Sequence, residues 1–141
     1  MDKEQERSMS KFGLIGKHID YSFSKSYFTD KFEKEKLPYS YVNFDLETIH
    51  EFPDILNASI KGLNVTIPYK EHIIPYLNKL NKKAKTIGAV NTIKITKKGK
   101  LIGYNTDVYG FRKSLKPLLK SHHKKALILG TGGASKAIIY V

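Results

Sequence analysis

Asn64, Thr66 and Lys70 fall close together in the run Gly62-Leu63-Asn64-Val65-Thr66-Ile67-Pro68-Tyr69-Lys70. The apolar residues around Asn64 and Thr66 read as a strand. Residues two apart on a strand share a face, so the amide and the hydroxyl point the same way. Pro68 cannot donate to a sheet ladder and suits the first turn of a helix, so the strand ends there and Lys70 follows at once. An amide, a hydroxyl and an ammonium gathered at one strand end can bind hydroxyl, carboxylate or carbonyl oxygens. Ligands bind at such strand ends in open α/β sheets. A lysine in a lysine-rich chain is ordinarily a solvated surface group, and only its place after Asn-Val-Thr-Ile-Pro singles Lys70 out.

Three further groups have suitable chemistry. Ser22 and Ser24, in Gly16-Lys17-His18-Ile19-Asp20-Tyr21-Ser22-Phe23-Ser24, can grip two carboxylate oxygens or cap the helix that follows. Asn91, in Gly88-Ala89-Val90-Asn91-Thr92, carries an amide that donates and accepts together, useful to a bound hydroxyl or to a turn at a strand edge. Asp107, in Gly103-Tyr104-Asn105-Thr106-Asp107, can pair with a lysine, cap the next helix, or do both. The five histidines show no ligand spacing and there is no cysteine, so no metal site is expected.

These residues need elements to hold them. Lys11–Gly16 reads as a strand, and 24–36 as a helix with Tyr27, Phe28 and Phe32 on one face. Tyr39–Asp45 alternates as a strand, and 47–57 reads as a helix bent near Pro53. Gly62–Ile67 is the third strand. Short helical pieces are expected over 69–87, divided near Pro75 and Asn81. Ala89–Ile95 and Lys100–Tyr104 are strands joined by a tight turn at Lys97-Lys98-Gly99, and 107–120 is a helix. Alternating strands and helices imply a layered α/β domain with a mostly parallel sheet, and the hairpin adds an antiparallel neighbour.

A chain of 141 residues suits one compact domain. Residues 1–10 are polar and charged, with no signal-peptide core, and read as a disordered leader. No apolar run approaches the roughly 20 residues that span a bilayer, so no membrane partner is expected. Absence of cysteine fits a cytoplasmic protein. The net charge of +12 raises nucleic-acid binding, but only Arg7 and Arg112 among the 25 basic residues are arginine, and the lysines are scattered. A solvated lysine surface accounts for the charge, with steering of small anions as a second use. No nucleic-acid partner is expected.

Residues 121–124 (Ser-His-His-Lys) mark a boundary after a first domain over 11–120. Lys125–Leu129 is a continuous apolar run, as in a buried parallel strand. It enters the turn Gly130-Thr131-Gly132-Gly133-Ala134-Ser135, and Lys136–Val141 begins a helix. Strand, glycine turn and helix together suit nucleotide phosphates, which the helix N-terminus attracts. A plain tight turn is the alternative. The 18 residues from Lys124 to Val141 are fewer than the roughly 30 of a βαβ unit, so residues 121–141 are expected to be a linker and the start of a truncated cofactor domain. That tail is expected to be poorly ordered or to pair with another copy in a homodimer, and the chain alone to be inactive.

In order, these motifs resemble those of shikimate dehydrogenases. The run Asn64-Val65-Thr66-Ile67-Pro68-Tyr69-Lys70 is similar to N-V-T-x-P-x-K, Gly88–Thr92 to G-A-V-N-T, Gly103–Asp107 to G-x-N-T-D, and the glycine turn to the family's cofactor turn. The segment Gly16–Ser24 keeps both serines of G-x-P-x-x-H-S-x-S-P, with His18, Tyr21 and Lys25 replacing its proline, histidine and final proline. The resemblance implies a substrate-binding domain followed by the first strand and glycine turn of a Rossmann domain. It implies reversible, NADP-dependent reduction of 3-dehydroshikimate to shikimate on the way to chorismate and aromatic amino acids. Lys70 and Asp107 would be catalytic and would touch substrate. Ser22 and Ser24 would bind its carboxylate, and Asn64, Thr66 and Asn91 its ring. Gly130, Gly132, Gly133, Ala134 and Ser135 would bind NADP, in a site that is incomplete in this chain. Quinate/shikimate activity and a non-catalytic substrate-binding module are the alternatives.

Overall fold

The alternating strand and helix signals resolve into one six-stranded sheet in a computed structural model that describes residues 9–141. The strands are β1 (Ser10–Gly16), β2 (Tyr39–Asp45), β3 (Ile60–Val65), β4 (Lys79–Leu80), β5 (Thr92–Ile95) and β6 (Leu101–Tyr104), in the order β2-β1-β3-β5-β6-β4. β1 pairs in parallel with β2 and β3, and β4 with β6, while β3–β5 and β5–β6 are antiparallel. Five helices accompany them: α1 (Ser24–Lys34), α2 (Phe52–Ile55), α3 (Lys82–Ile87), α4 (Asp107–Leu115) and α5 (Gly133–Tyr140). The expected leader lies outside the described residues up to Ser8, and Ser10 already belongs to β1.

Both faces of the sheet are covered, as a β1 that reads Gly-Leu-Ile-Gly requires. Neighbouring Leu14 and Ile15 point to opposite faces. Ile15 joins Phe52, Ile60, Leu63, Val65, Ile73, Val90 and Ile93 in the larger core. Leu14 joins Ile19, Phe32 and Tyr41 beneath α1. There Phe28 stacks on Tyr41 with ring centroids 4.7 Å apart. Of the aromatic face expected on α1, Phe32 is buried, Phe28 is half-buried and Tyr27 is exposed.

Several boundaries differ from the sequence reading, each for a local reason. α1 stops at Lys34 because Lys36 turns left-handed at φ 53° and Leu37 N–H bonds back to Phe32 C=O, with Pro38 following. The helix expected over 47–57 is a 3₁₀ turn at Ile49–Glu51 followed by the single turn α2. Pro53 sits near the start of α2, where its missing N–H is tolerated. The segment 69–87 breaks near Asn81 as expected, but Pro75 lies inside a 3₁₀ turn, Ile74–Tyr76, rather than between helical pieces, and the segment also carries β4, too short at two residues to show a pattern. Asn81 caps α3 by accepting Lys83 N–H at 3.0 Å, and Gly88 ends it at φ 76°, a conformation only glycine adopts freely. The helix expected to reach Lys120 becomes 3₁₀ over Lys116–Leu118, since Pro117 withholds a donor.

One expectation is overturned. Lys125–Leu129 is not a strand, and Leu127 and Leu129 are 85% and 87% exposed. An apolar run becomes a strand only where a ladder partner exists, and the sheet's edges are taken by β2 and β4 without it. The tail beyond it is packed. α5 lies back on the first domain, burying Ala137 fully against Ile87, Ala89 and Val108.

Candidate active site

Beyond the C-terminal ends of β1 and β3 lies a cleft of about 400 Å³. Its lining includes Ser22, Ser24, Asn64, Thr66, Lys70, Asn91 and Asp107, so all seven residues expected to meet substrate are brought together. Leu14, Val65 and Phe28 form apolar wall, and exposed Tyr21 and Phe23 stand at the rim.

Lys70 and Asp107 are 37 residues apart in sequence, yet Lys70 Nζ donates to Asp107 Oδ2 at 2.6 Å. Two backbone bonds hold this meeting in place: Val90 N–H to Lys70 C=O at 2.8 Å, and Asn91 N–H to Tyr104 C=O at 3.0 Å. The first ties the lysine's main chain to the Gly-Ala-Val-Asn-Thr segment. The second ties that segment to the end of β6, from which α4 and Asp107 depart. The Asn91 amide locks the other carboxylate oxygen, donating to Asp107 Oδ1 at 3.0 Å and to Thr106 Oγ1 at 2.8 Å. Its Oδ1 accepts Thr106 N–H at 2.8 Å, which fixes the amide's orientation. Asp107 is not the helix cap that its sequence position also allowed. It stands inside the first turn of α4, where the helix dipole favours a carboxylate, and Thr106 precedes it as N-cap without a side-chain bond. The ammonium spends one donor on Asp107 and has others for an oxygen in the cleft.

The far side of the cleft is built by the start of α1. Ser22 and Ser24 face each other, with hydroxyl oxygens 3.3 Å apart. Neither caps α1 in the usual way: Phe23 is the N-cap residue, and the contact from Ser24 N–H to Ser22 Oγ is long at 3.4 Å. Two hydroxyls at a helix N-terminus make a setting for a carboxylate.

Sequence reasoning missed Tyr41. Its hydroxyl donates to Asn64 Oδ1 at 2.8 Å, leaving Nδ2 as the Asn64 donor, with distant contacts to Thr92 Oγ1 at 3.4 Å and Asn91 C=O at 3.5 Å. Tyr41 lies on β2, two strands from Asn64, and no sequence spacing reveals that strand order. Thr92 and Thr106 were also given no role, although both stand within the quoted motifs. Burial pushes the Tyr41 hydroxyl far above the ordinary phenol range, a shift opposed in part by the Ser24 hydroxyl. Burial raises Tyr69 in the same direction. An unfolded tyrosine ionises near 10.0 while folded Tyr41 keeps its proton, so the unfolded state loses protons first and stability falls as pH rises through and above that value. Chemical denaturation between neutral and alkaline pH is expected to show this fall, and Tyr41→Phe, which keeps the stacked ring, to flatten it. An equally steep fall in the variant would assign the effect elsewhere.

Gly130, Gly132, Gly133, Ala134 and Ser135 form the turn that enters α5, with Gly130 at φ 125°. The space beside Gly132 is open, with nothing within 4 Å of where a Cβ would stand. The N–H groups of the first turn of α5 therefore sit where a phosphate has backbone access. The turn also reaches the Lys70–Asp107 pair, since Gly133 packs on the Lys70 side chain.

The profile of the shikimate dehydrogenase substrate binding domain matches residues 14–93. The chain belongs to this family. A relative from Clostridium botulinum named shikimate dehydrogenase (NADP(+)) is 46% identical over 132 residues, covering 91% of this chain and 51% of that protein. The crystal structure of shikimate dehydrogenase from Aquifex aeolicus superposes with a TM-score of 0.85 at 39% identity, over 99% of this chain and 52% of that one. The Thermus thermophilus enzyme in complex with shikimate gives a TM-score of 0.80 at 33% identity, over 92% of this chain and 51% of that one. The chain thus spans about half the length of the relatives it matches. The shikimate dehydrogenase profile covers Ser22, Ser24, Asn64, Thr66, Lys70 and Asn91, while Asp107 and the glycine turn lie beyond it. Among the described residues no helix is long and apolar enough to cross a membrane.

Proposed function

We propose that this domain binds shikimate and 3-dehydroshikimate for their NADP-dependent interconversion, in a cytoplasmic enzyme. The observation that carries the reading is the hydrogen-bonded cluster Lys70–Asp107–Asn91 at one side of a cleft whose other side presents Ser22 and Ser24. A ring with a carboxylate at one position and an oxidisable hydroxyl two ring positions away would lie between the two. Ser22 and Ser24 take the carboxylate, and Asn64, Thr66 and Asn91 orient the ring hydroxyls. Lys70 as an ammonium donates a proton to the carbonyl oxygen during reduction and takes one up in the reverse direction. Asp107 aims Lys70 through their 2.6 Å hydrogen bond, and offers its carboxylate to a neighbouring hydroxyl.

The glycine turn fits the phosphates of NADP, because it combines open space at Gly132 with the N–H groups of the α5 N-terminus. Gly130, Gly132, Gly133, Ala134 and Ser135 would hold them. When bound, the cofactor would supply a hydride to the carbonyl carbon as NADPH, or take one from the carbinol carbon as NADP+. We take residues 11–120 as the substrate domain and 121–141 as linker and start of a cofactor domain. The scattered lysines form a solvated surface that steers small anions, with no nucleic-acid partner.

Titration of this chain with shikimate, followed by amide NMR, tests the site. Shifts are expected at Ser22, Ser24, Asn64 and Asn91. The methyl ester of shikimate, which lacks the charge that the serines would grip, is expected to bind about tenfold more weakly, the scale of one charge-assisted hydrogen bond. Shifts confined to other surfaces, or equal affinity for acid and ester, would overturn the assignment.

A further inference from the structure

Gly133 is a glycine that backbone geometry does not explain. The positive-φ glycines are Gly88, Gly99 and Gly130, while Gly133 is the first helical residue of α5. A Cβ built there would lie 2.7 Å from Lys70 Cβ, and 3.4 Å from both Lys70 Cδ and Ala89 Cβ. One turn further, Ala137 is fully buried against Ala89, Val108 and Ile87. Ala89 stands two residues before Asn91, and Val108 directly follows Asp107. Between these small residues, Lys136 Nζ forms an ion pair with Glu71, the residue next to Lys70. One short helix therefore touches Lys70, its sequence neighbour Glu71, Val108 beside its partner Asp107, and Ala89 close to the Asn91 that anchors Asp107.

We infer that α5 is a positioning element for the Lys70–Asp107 pair, and that residue 133 is glycine because the Lys70 side chain occupies the space a larger residue would need. The inference rests on the reading of Lys70 and Asp107 as the reactive pair. A free lysine side chain has many rotamers, and fixing it in one opposes pairing. Backbone packed against its stem removes alternatives before substrate arrives. Gly133 and Ala137 are four residues apart, on one face of the helix, so both small residues address the same surface. The turn that is open to phosphates on its outer side thus bears on the proton-transferring group on its inner side.

The test uses this chain without NADP, so that any purely phosphate-binding role of Gly133 is silent. In the wild type, the Lys70 ammonium held by Asp107 is expected to give a protected ¹⁵Nζ signal distinct from the exposed lysines. Gly133→Ala is expected to move that signal to the exposed-lysine position and to weaken shikimate binding about tenfold, as for one lost hydrogen bond to a charged group. Alanine favours helix over glycine, so loss of the fold is not its default outcome. Lys136→Met, which adds no bulk near Lys70, is expected to weaken binding about threefold, the scale of a partly exposed pair. The charge-swapped Glu71→Lys/Lys136→Glu protein is expected to restore it. Gly110→Ala, on the exposed face of α4 with nothing within 4 Å, serves as the unchanged control. A wild-type ammonium signal and undiminished affinity in Gly133→Ala would overturn the inference and leave Gly133 to the cofactor alone. If the wild-type chain fails to bind shikimate, the functional reading falls, while the ammonium signal still decides whether α5 positions Lys70.

Discussion

Lys70→Ala is expected to lower the turnover of shikimate oxidation by about 10²–10⁴-fold in the enzyme that carries this domain, the usual size of acid–base catalysis. The variant removes the only lysine among the described residues that line the cleft, and its side chain, 15% exposed, is poorly placed for water to substitute. Asp107 keeps its second anchor, the Asn91 amide at 3.0 Å, so the carboxylate stays in place. Ser22, Ser24, Asn64 and Thr66 are untouched. The loss is therefore expected mainly in kcat, because the proton is transferred only on the way through the transition state, with KM raised by no more than the roughly tenfold of the ammonium's ground-state hydrogen bond to substrate. Initial rates of NADPH formation over a range of shikimate concentrations separate the two constants. Unchanged turnover would return Lys70 to the status of an ordinary surface lysine.

Asp107→Ala is expected to act on both constants. It leaves the Lys70 ammonium, mostly out of water, without its 2.6 Å partner, and frees the Asn91 Nδ2 that had held the carboxylate. Removing one member of a fully buried ion pair costs about 3–5 kcal/mol. Asp107 is a third exposed, so screening reduces this, and a loss of about 10²-fold in kcat/KM is the discounted expectation. KM rises because the hydroxyl contact exists in the ground state too. Asp107→Asn keeps the shape and the Asn91 neighbour but loses the charge. It should therefore recover affinity more than turnover. An asparagine variant with wild-type turnover would show that the charge does not matter and that Asp107 serves only as packing in the first turn of α4.

The residues that line this cleft were legible in the sequence, in short local runs. Asn-Val-Thr-Ile-Pro-Tyr-Lys states its strand, its stop and its lysine within a few residues, and local steric rules decide such features. β2 appeared with the same bounds, Tyr39–Asp45, because alternation is also local. So was the hairpin of β5 and β6 around Gly99. The failures came where a distant partner decides the state. Lys125–Leu129 has the composition of a buried strand and is exposed coil, because strand formation needs a ladder neighbour that composition cannot supply. α5 was expected to lack support and instead lies on Ile87, Ala89 and Val108, residues about 30–50 positions earlier, a docking that depends on packing across the fold.

The division between the two follows from the range of the forces. By itself the sequence determined which residue types are present, which local faces they share, and that a lysine, an aspartate, two serines and two asparagines stand at the ends of elements. Only the tertiary structure decided that Lys70 Nζ meets Asp107 across 37 residues, that Tyr41 holds Asn64 from two strands away, and that Gly133 abuts Lys70. Each of these depends on strand order and helix docking. Those are settled by burial of apolar surface over the whole domain, which sums contacts far apart in the chain and leaves no signature in any single stretch of it.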